Sequence, residues 1–99
     1  MDQTAILSSV KLDLQLIGTA YDSFLAELIE QAIEEIGNYG ITLAAASNAD
    51  AGLVRMYAAW LYRNRAATNP ADSAMPRMLQ YALNNRLFKE KMTAGGSDR

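Results

Sequence analysis

The chain of 99 residues contains no cysteine and no histidine. Without cysteine it has no disulfide framework, no thiolate metal ligand and no thiol nucleophile. Without histidine it lacks the commonest general base and the commonest metal ligand of proteins. Most enzyme classes rely on at least one of these side chains for catalysis. We therefore predict a protein that is not an enzyme and that uses no cofactor and no metal.

Long apolar runs are also missing. Charged residues interrupt every hydrophobic region before it reaches the roughly 20 apolar residues that a membrane-spanning helix needs. The first fifteen residues carry Asp2, Lys11 and Asp13 among apolar positions, which is not the pattern of a secretion signal. We expect synthesis in a cytoplasm and no membrane partner.

The hydrophobic residues that are present recur at intervals of three and four, which predicts an all-α fold in one domain of about four helices. A short N-terminal helix over 6–17 should end at Gly18, and a long helix over 22–39, capped by Asp22 or Ser23, should end near Gly40. Residues 41–49 have the composition of a loop.

Ser47, followed three residues later by Asp50, predicts the capped start of a second long helix, antiparallel to the first and central in the fold. A C-terminal helix should run over 73–91, with Ser73 as its cap and Pro76 in its first turn. We assign 1–92 to the helical domain and 93–99 to a disordered tail. The methionines at 56, 75 and 78 occupy predicted core positions.

Charge is unevenly distributed. Residues 1–50 hold eight acidic residues and one basic residue, whereas residues 51–99 hold eight basic and three acidic residues. The two halves could neutralise each other within one monomer, or the acidic face of one copy could meet the basic face of the next. On the second hypothesis, the predicted interface residues are Glu27, Glu34, Glu35, Arg55, Arg63 and Arg65.

Two other chemistries match single features of the sequence. Glu27, Glu30 and Glu34 share a helix face and could form a metal or hydrolytic site, but a solvated or interface-forming face explains them more simply. The arginines at 55, 63 and 65 alternate with aromatic residues, as on a nucleic-acid-binding surface, yet the pI near 4.9 argues against a basic footprint. A DNA-binding factor is therefore the weaker hypothesis.

Three segments resemble a known family. The acidic stretch DSFLAELIEQAIEEI, the stretch LVRMYAAWLYRNRA and the stretch MPRMLQYALNNRLF are similar to the small head-tail connector (adaptor) proteins of tailed bacteriophages and prophages. The resemblance covers about residues 6–88, and its most specific parts are residues 61–65, Met75 to Arg77, Leu79 and the LNNRL stretch at 83–87. The loop at 41–49 has no clear counterpart in that family.

The resemblance implies a virion structural protein of the DNA-packaging machinery. Such a subunit forms a ring of about a dozen copies beneath the portal and links the DNA-filled head to the tail. Its partners would be other copies of itself, the portal protein and a tail-side connector protein, and DNA would pass through without sequence-specific binding. It would be made in the bacterial host cytoplasm and reside at the head-tail junction of the virion. The alternative is a cytoplasmic helical protein-protein interaction module or a small prophage-encoded regulator.

Overall fold

A computed structural model describes residues 2–65 and 74–97 as four α-helices. The helices are α1 (Gln3–Asp13), α2 (Asp22–Asn38), α3 (Asn48–Arg63) and α4 (Arg77–Ser97). Within those residues there is no strand, so the predicted all-α class with four helices is confirmed. The predicted central place of the third helix is also confirmed, because α3 packs against α1, α2 and α4.

The core is built from the apolar faces that the helical spacing predicted. α1 supplies Ile6 and Val10, while α2 and α3 contribute most of the remaining buried side chains. Burying this apolar surface provides the main favourable free energy of folding. The buried apolar residues of α2 and α3 are Leu25, Leu28, Ile29, Ala32, Ile36, Leu53, Val54, Tyr57, Ala58 and Ala59.

The helix α1 ends five residues earlier than Gly18. Gln15 adopts a left-handed backbone conformation with φ of 57°. The N–H of Gln15 donates to the carbonyl of Leu12, and the N–H of Leu16 donates to the carbonyl of Lys11. This pair of hydrogen bonds is the Schellman motif, which closes a helix whether or not glycine is available.

The predicted caps have mixed outcomes. Ser47 caps α3 as predicted, since its side-chain oxygen accepts the N–H of Asp50 at 3.2 Å. The prediction for α2 was wrong, because Tyr21 occupies the N-cap position and makes no side-chain capping bond. Asp22 instead pairs with Lys11 of α1 at 2.9 Å, so this carboxylate joins two helices. Gly40 ends α2 with φ of 96°, as predicted.

The C-terminal helix differs from its prediction at both ends. It begins at Arg77, directly after Pro76, and the predicted cap Ser73 lies outside the described residues. It ends at Ser97 and not at residue 91, and so extends into the predicted tail at 93–99, of which residues 98 and 99 are not described. This end of α4 contains Gly95 and Gly96. A glycine destabilises a helix by about 1 kcal/mol relative to alanine but does not prevent it from forming.

The methionine prediction was wrong at one position. Met56 and Met75 are partly buried against the core, but Met78 is 76% exposed. The inward face of α4 is instead formed by Leu79 and Leu83, with Leu87 packed beside them. Met78 lies one residue before Leu79, and a step of about 100° around the helix axis turns it away from the core.

Candidate functional site

The outer face of α2 forms an acidic ridge, which we define as Glu27, Glu30 and Glu34. These residues are spaced three and four apart, so they line up on one side of the helix. All three are exposed, and none pairs with another residue in the part of the chain that the structure describes. The ridge is therefore available for contact with a basic surface.

Glu35 does not belong to that ridge. It is partly buried, and its carboxylate accepts hydrogen bonds from the Tyr57 hydroxyl at 2.9 Å and from the Gln31 amide at 2.6 Å. Burial and the neighbouring Glu35 carboxylate raise the pKa of Tyr57, because both disfavour the phenolate. Of the three predicted acidic interface residues, Glu27 and Glu34 share a surface and Glu35 joins α2 to α3.

The three predicted arginines do not form one patch. Arg55 lies beside α1 in the first half of α3, in a cleft that it shares with Asp2 and Ser9. Arg63 is eight residues further on and makes a loose ion pair with Asp13 at 3.5 Å. Eight helical residues span about 12 Å, so Arg55 and Arg63 lie at different levels of the molecule.

Arg65 lies just beyond the C-terminal end of α3. Its guanidinium stacks over the Tyr62 ring at 3.7 Å from the ring centroid, and it donates to the Tyr62 carbonyl. Tyr62 also meets Tyr21 edge-on, while Tyr57 is buried beside Trp60. A buried Tyr57 cannot stack on a base, so the alternating arginine and aromatic pattern is a feature of packing. Arg63 and Arg65 together form an exposed basic end of α3.

Sequence reasoning missed a polar junction, which we define as Asp50, Arg86 and Glu90 with the loop backbone at Thr42 and Ala44. Arg86 Nε donates to Asp50 Oδ1 at 2.8 Å, and Arg86 Nη1 donates to Glu90 Oε1 at 3.1 Å. Arg86 Nη2 donates to the Thr42 carbonyl at 2.7 Å. One guanidinium thus connects α3, α4 and the loop between α2 and α3.

The two carboxylates of the junction complete the connection to the loop. Asp50 Oδ2 accepts the Ala44 N–H at 2.8 Å, and Glu90 Oε1 accepts the Thr42 N–H at 2.9 Å. Burial by itself would raise the pKa of Asp50, but Arg86 and the Ala44 N–H outweigh that effect and hold the pKa below its usual range. The junction therefore gives the loop at 41–47 a structural role.

One signal could have indicated the junction from the sequence. Arg86 is a charged residue that falls among the apolar positions of α4 facing α3, close to Leu83 and Leu87. A charge on a buried face requires a partner of opposite sign. That partner is Asp50, which the sequence predicts only as part of the α3 cap.

The junction borders a cleft of about 730 Å³ between α3, α4 and the loop. Leu53, Met56 and Ala82 contribute apolar wall, and the charged groups are Asp50, Arg86, Lys89 and Glu90. Asp50, Arg86 and Glu90 already bind one another or the loop backbone. Groups committed to internal hydrogen bonds are poorly placed for acid-base chemistry, so we assign this cleft a structural role.

A second feature that the sequence reasoning missed lies on the outer face of α4. We define the α4 stripe as Met78, Tyr81, Asn85, Phe88 and Met92. The four apolar members are each between 58% and 76% exposed, although large hydrophobic side chains are more often buried in the protein interior. The sequence predicts one apolar face for this helix, whereas the structure shows a second one that is exposed.

The described residues were also compared with the requirements of a metal site and of a membrane-spanning helix. Over 2–65 and 74–97, no group of three or more aspartates and glutamates is arranged to hold a metal ion. No helix in the same residues is long and apolar enough to cross a membrane.

Comparison with known proteins finds no relative, since no protein-family model, no curated protein and no solved structure matches the chain. The resemblance to phage connectors thus stays a prediction. The function has to be inferred from the three surfaces described above: the acidic ridge, the basic end of α3 and the α4 stripe.

Proposed function

We propose that this protein is a virion structural protein, a head-tail connector (adaptor) subunit. It forms a ring beneath the portal of a tailed phage or prophage and links the DNA-filled head to the tail. Support comes from the three segments that resemble the family, which lie on α2, on α3 and at the start of α4. The role is architectural and requires no catalysis.

The observation that carries the proposal is the presence of two unlike charged surfaces on one small subunit. A ring requires a heterologous interface, in which one surface of each copy contacts a different surface of the next. The acidic ridge faces solvent on α2, while the arginine side chains at 63 and 65 are exposed at the end of α3. In the proposed ring, the ridge of one copy contacts the basic end of α3 in its neighbour.

The existing contacts of Arg63 leave it able to take part. Its side chain is 57% exposed, and its pair with Asp13 is long at 3.5 Å. An exposed ion pair of this kind contributes about 0–1 kcal/mol, so exchanging Asp13 for a carboxylate of the neighbouring copy costs little. Many copies in a ring multiply a weak contact into a stable closed assembly.

The acidic character of the chain suits the passage of DNA. A strongly basic channel would bind phosphates and release counterions, and so would hold DNA in place at moderate salt. A net charge of −2 favours sliding over capture. We propose that DNA crosses the ring without sequence-specific contacts.

The second candidate function is a helical interaction module or a small prophage-encoded regulator. The α4 stripe favours it, because an uncovered apolar helix face is typical of a surface that binds another protein. The two functions differ in the assembly that they predict. A connector forms a closed ring by itself or on portal rings, whereas a regulator binds one partner in a small complex.

The mass distribution of the purified protein tests the proposal, measured by light scattering across salt and concentration, with and without isolated portal rings. We expect a discrete ring-sized species at low salt or a saturable complex with the portal. Glu34→Lys should abolish it, and Arg63→Glu combined with Glu34→Lys in the same chain should restore it. The matched control is Thr4→Lys with Ser8→Lys, which changes the charge equally on the exposed side of α1.

A monomer at every salt concentration that also fails to bind portal rings would remove the connector function and favour the regulator. Assembly that survives Glu34→Lys unchanged would instead remove the acidic ridge from the interface.

A further inference from the structure

The α4 stripe has the geometry of a helix-pairing seam. Its members follow one another at intervals of three, four, three and four residues, which is the 3.5-residue repeat of coiled-coil core positions. On a helix with 100° per residue, they lie within an arc of about 80°. The stripe runs along α4 from Met78 to Met92.

The stripe is distinct from the face of α4 that packs within the subunit. α4 contacts α3 through a different face, which carries Leu79, Leu83 and Leu87 together with Arg86 of the polar junction. This helix therefore has two apolar faces, of which its own subunit covers one. A helix that is apolar on several sides is normally contacted on several sides.

The central residue of the stripe argues for a protein partner over a membrane surface. Asn85 lies midway, with apolar residues on both sides of it along the helix. A single amide at a core position fixes the register of paired helices, whereas it weakens insertion into lipid. A helix that lies on a membrane also needs a broader apolar face than this narrow stripe.

The charges beside the stripe determine which helix would fit. Arg77 and Lys91 lie along one edge. Lys89 lies along the other, where it also borders the cleft and its charge acts on Asp50. Glu90 is turned toward the core, where it binds Arg86 and the Thr42 N–H. Both edges of the stripe are thus positive, and a complementary partner carries acidic residues beside its own apolar seam.

Neither α2 nor α4 of a second copy fits these requirements. The acidic ridge of α2 has no exposed large apolar side chain beside it, because the apolar residues of α2 pack in the core. Pairing α4 with another α4 would bring the basic edges of both helices together. Those like charges would lie within the Debye length of about 8–10 Å and would repel.

We propose that the outer face of α4 is a docking site for an acidic amphipathic helix of a different protein. The partner packs apolar residues against Met78, Tyr81, Phe88 and Met92, and it places glutamates or aspartates beside Arg77 and Lys91. Asn85 pairs with a polar residue at the middle of the partner and sets the register. This site is separate from the ring contact and does not depend on it.

A designed peptide provides the probe. It is a fluorescent helix as long as α4, with leucine at seam positions, one central asparagine and glutamate along both edges. Its control is the same peptide with lysine in place of glutamate. Fluorescence anisotropy should show binding of the acidic peptide at least about tenfold tighter than that of the lysine peptide. Combining Arg77→Glu with Lys91→Glu should reverse this preference, and Phe88→Glu should weaken binding of both peptides.

The controls separate the site from the fold. Phe88 is 66% exposed, so Phe88→Glu should leave the circular dichroism spectrum and the thermal midpoint unchanged. Thr4→Glu, an exposed change on α1, should leave peptide binding unchanged. Equal affinity for both peptides, or no binding of the acidic peptide by the folded protein, would overturn the proposal.

Two further outcomes would assign the stripe to another occupant. If Phe88→Glu abolishes self-association of the protein, the occupant is a second copy. If vesicles of phosphatidylglycerol and phosphatidylcholine in equal parts bind the protein and compete with the peptide, the occupant is a membrane surface. Either result overturns the proposed helix partner, and neither bears on whether Glu34 contributes to a ring.

Discussion

The first three helices and the fourth are held in the fold by different forces. α1, α2 and α3 bury thirteen apolar residues, counting Ile41 in the loop, whereas α4 contributes Leu79 and Leu83 to the buried set. The rest of its attachment comes from partly buried side chains and from the polar junction around Arg86. The first region is joined by apolar area, and the second depends in part on one guanidinium.

This difference predicts how each region responds to conditions. Hydrophobic stabilisation is nearly independent of pH and grows slightly with salt. A hydrogen-bonded ion pair depends on the protonation of its carboxylate, and its loss leaves a buried charge without a partner. The attachment of α4 is therefore the part of this fold that pH and single charge changes can loosen.

The largest effect is expected in the apolar region. Leu25 is fully buried in α2, so Leu25→Ala should lower the free energy of unfolding by about 3–4 kcal/mol through lost burial and a residual cavity. Urea unfolding followed by circular dichroism measures this change. Leu12→Ala is the matched control, because Leu12 is 81% exposed and its truncation should change stability by less than about 0.5 kcal/mol.

The next effect concerns the junction. Arg86→Met keeps the length of the side chain but removes the guanidinium that is hydrogen-bonded to the carboxylate of Asp50, which is 4% exposed. We expect a loss of about 3 kcal/mol at neutral pH. Amide hydrogen exchange should show faster exchange in α4 and the loop at 41–47, with little change in α2. Uniformly faster exchange in all helices would refute the distinction between the two regions.

The same junction predicts a pH dependence. The folded pKa of Asp50 is lowered, so its contribution is fully present above the unfolded value near 3.9 and is lost as pH falls through the folded pKa. The stability difference between the wild type and Arg86→Met should therefore shrink as pH falls below about 4. Lys91→Met, at an exposed position, should show no such convergence.

A smaller effect is expected at the contact between α2 and α3. Tyr57→Phe removes the hydroxyl that donates to Glu35 and should cost about 1 kcal/mol. Combining it with Glu35→Ala, which removes the acceptor, in a double-mutant cycle isolates the energy of that hydrogen bond. Strictly additive losses from the two changes would show that the hydrogen bond contributes nothing.

The smallest expected change is a gain. Gln15 has φ of 57° at the end of α1, and a left-handed conformation costs a residue with a Cβ roughly 1–2 kcal/mol. Gln15→Gly relieves that cost but increases the entropy of the unfolded chain, so the net gain should be about 0.5–1 kcal/mol. Gly40→Ala is the opposite test, because it introduces the same strain at φ of 96° and should destabilise the protein.

Local patterns predicted what depends on near neighbours. The capping of α3 by Ser47 and the end of α2 at Gly40 involve atoms within a few residues, and both predictions were confirmed. The end of α1 was predicted incorrectly because the left-handed residue is Gln15, a residue type that seldom adopts that conformation. The polar junction was missed because Asp50 and Arg86 are 36 residues apart.

For the candidate surfaces, the sequence located the acidic face of α2 but did not show which of its glutamates are exposed and which pair with another helix. Glu27 and Glu34 face solvent as the helical spacing predicted, whereas the neighbouring Glu35 turns toward Tyr57. Glu34 and Glu35 are adjacent in the sequence, so their side chains point about 100° apart around the axis of α2. Only the position of α3 decides which of them acquires a partner.

The sequence by itself determined the helical class, the number of helices and most of the core, because apolar periodicity and end signals act within a few turns of a helix. The tertiary structure decided which charges pair internally and which face of α4 stays uncovered. Those outcomes depend on how helices that are distant in sequence lie against one another. Packing used one apolar face of α4 and left the other, with its basic edges, exposed to solvent.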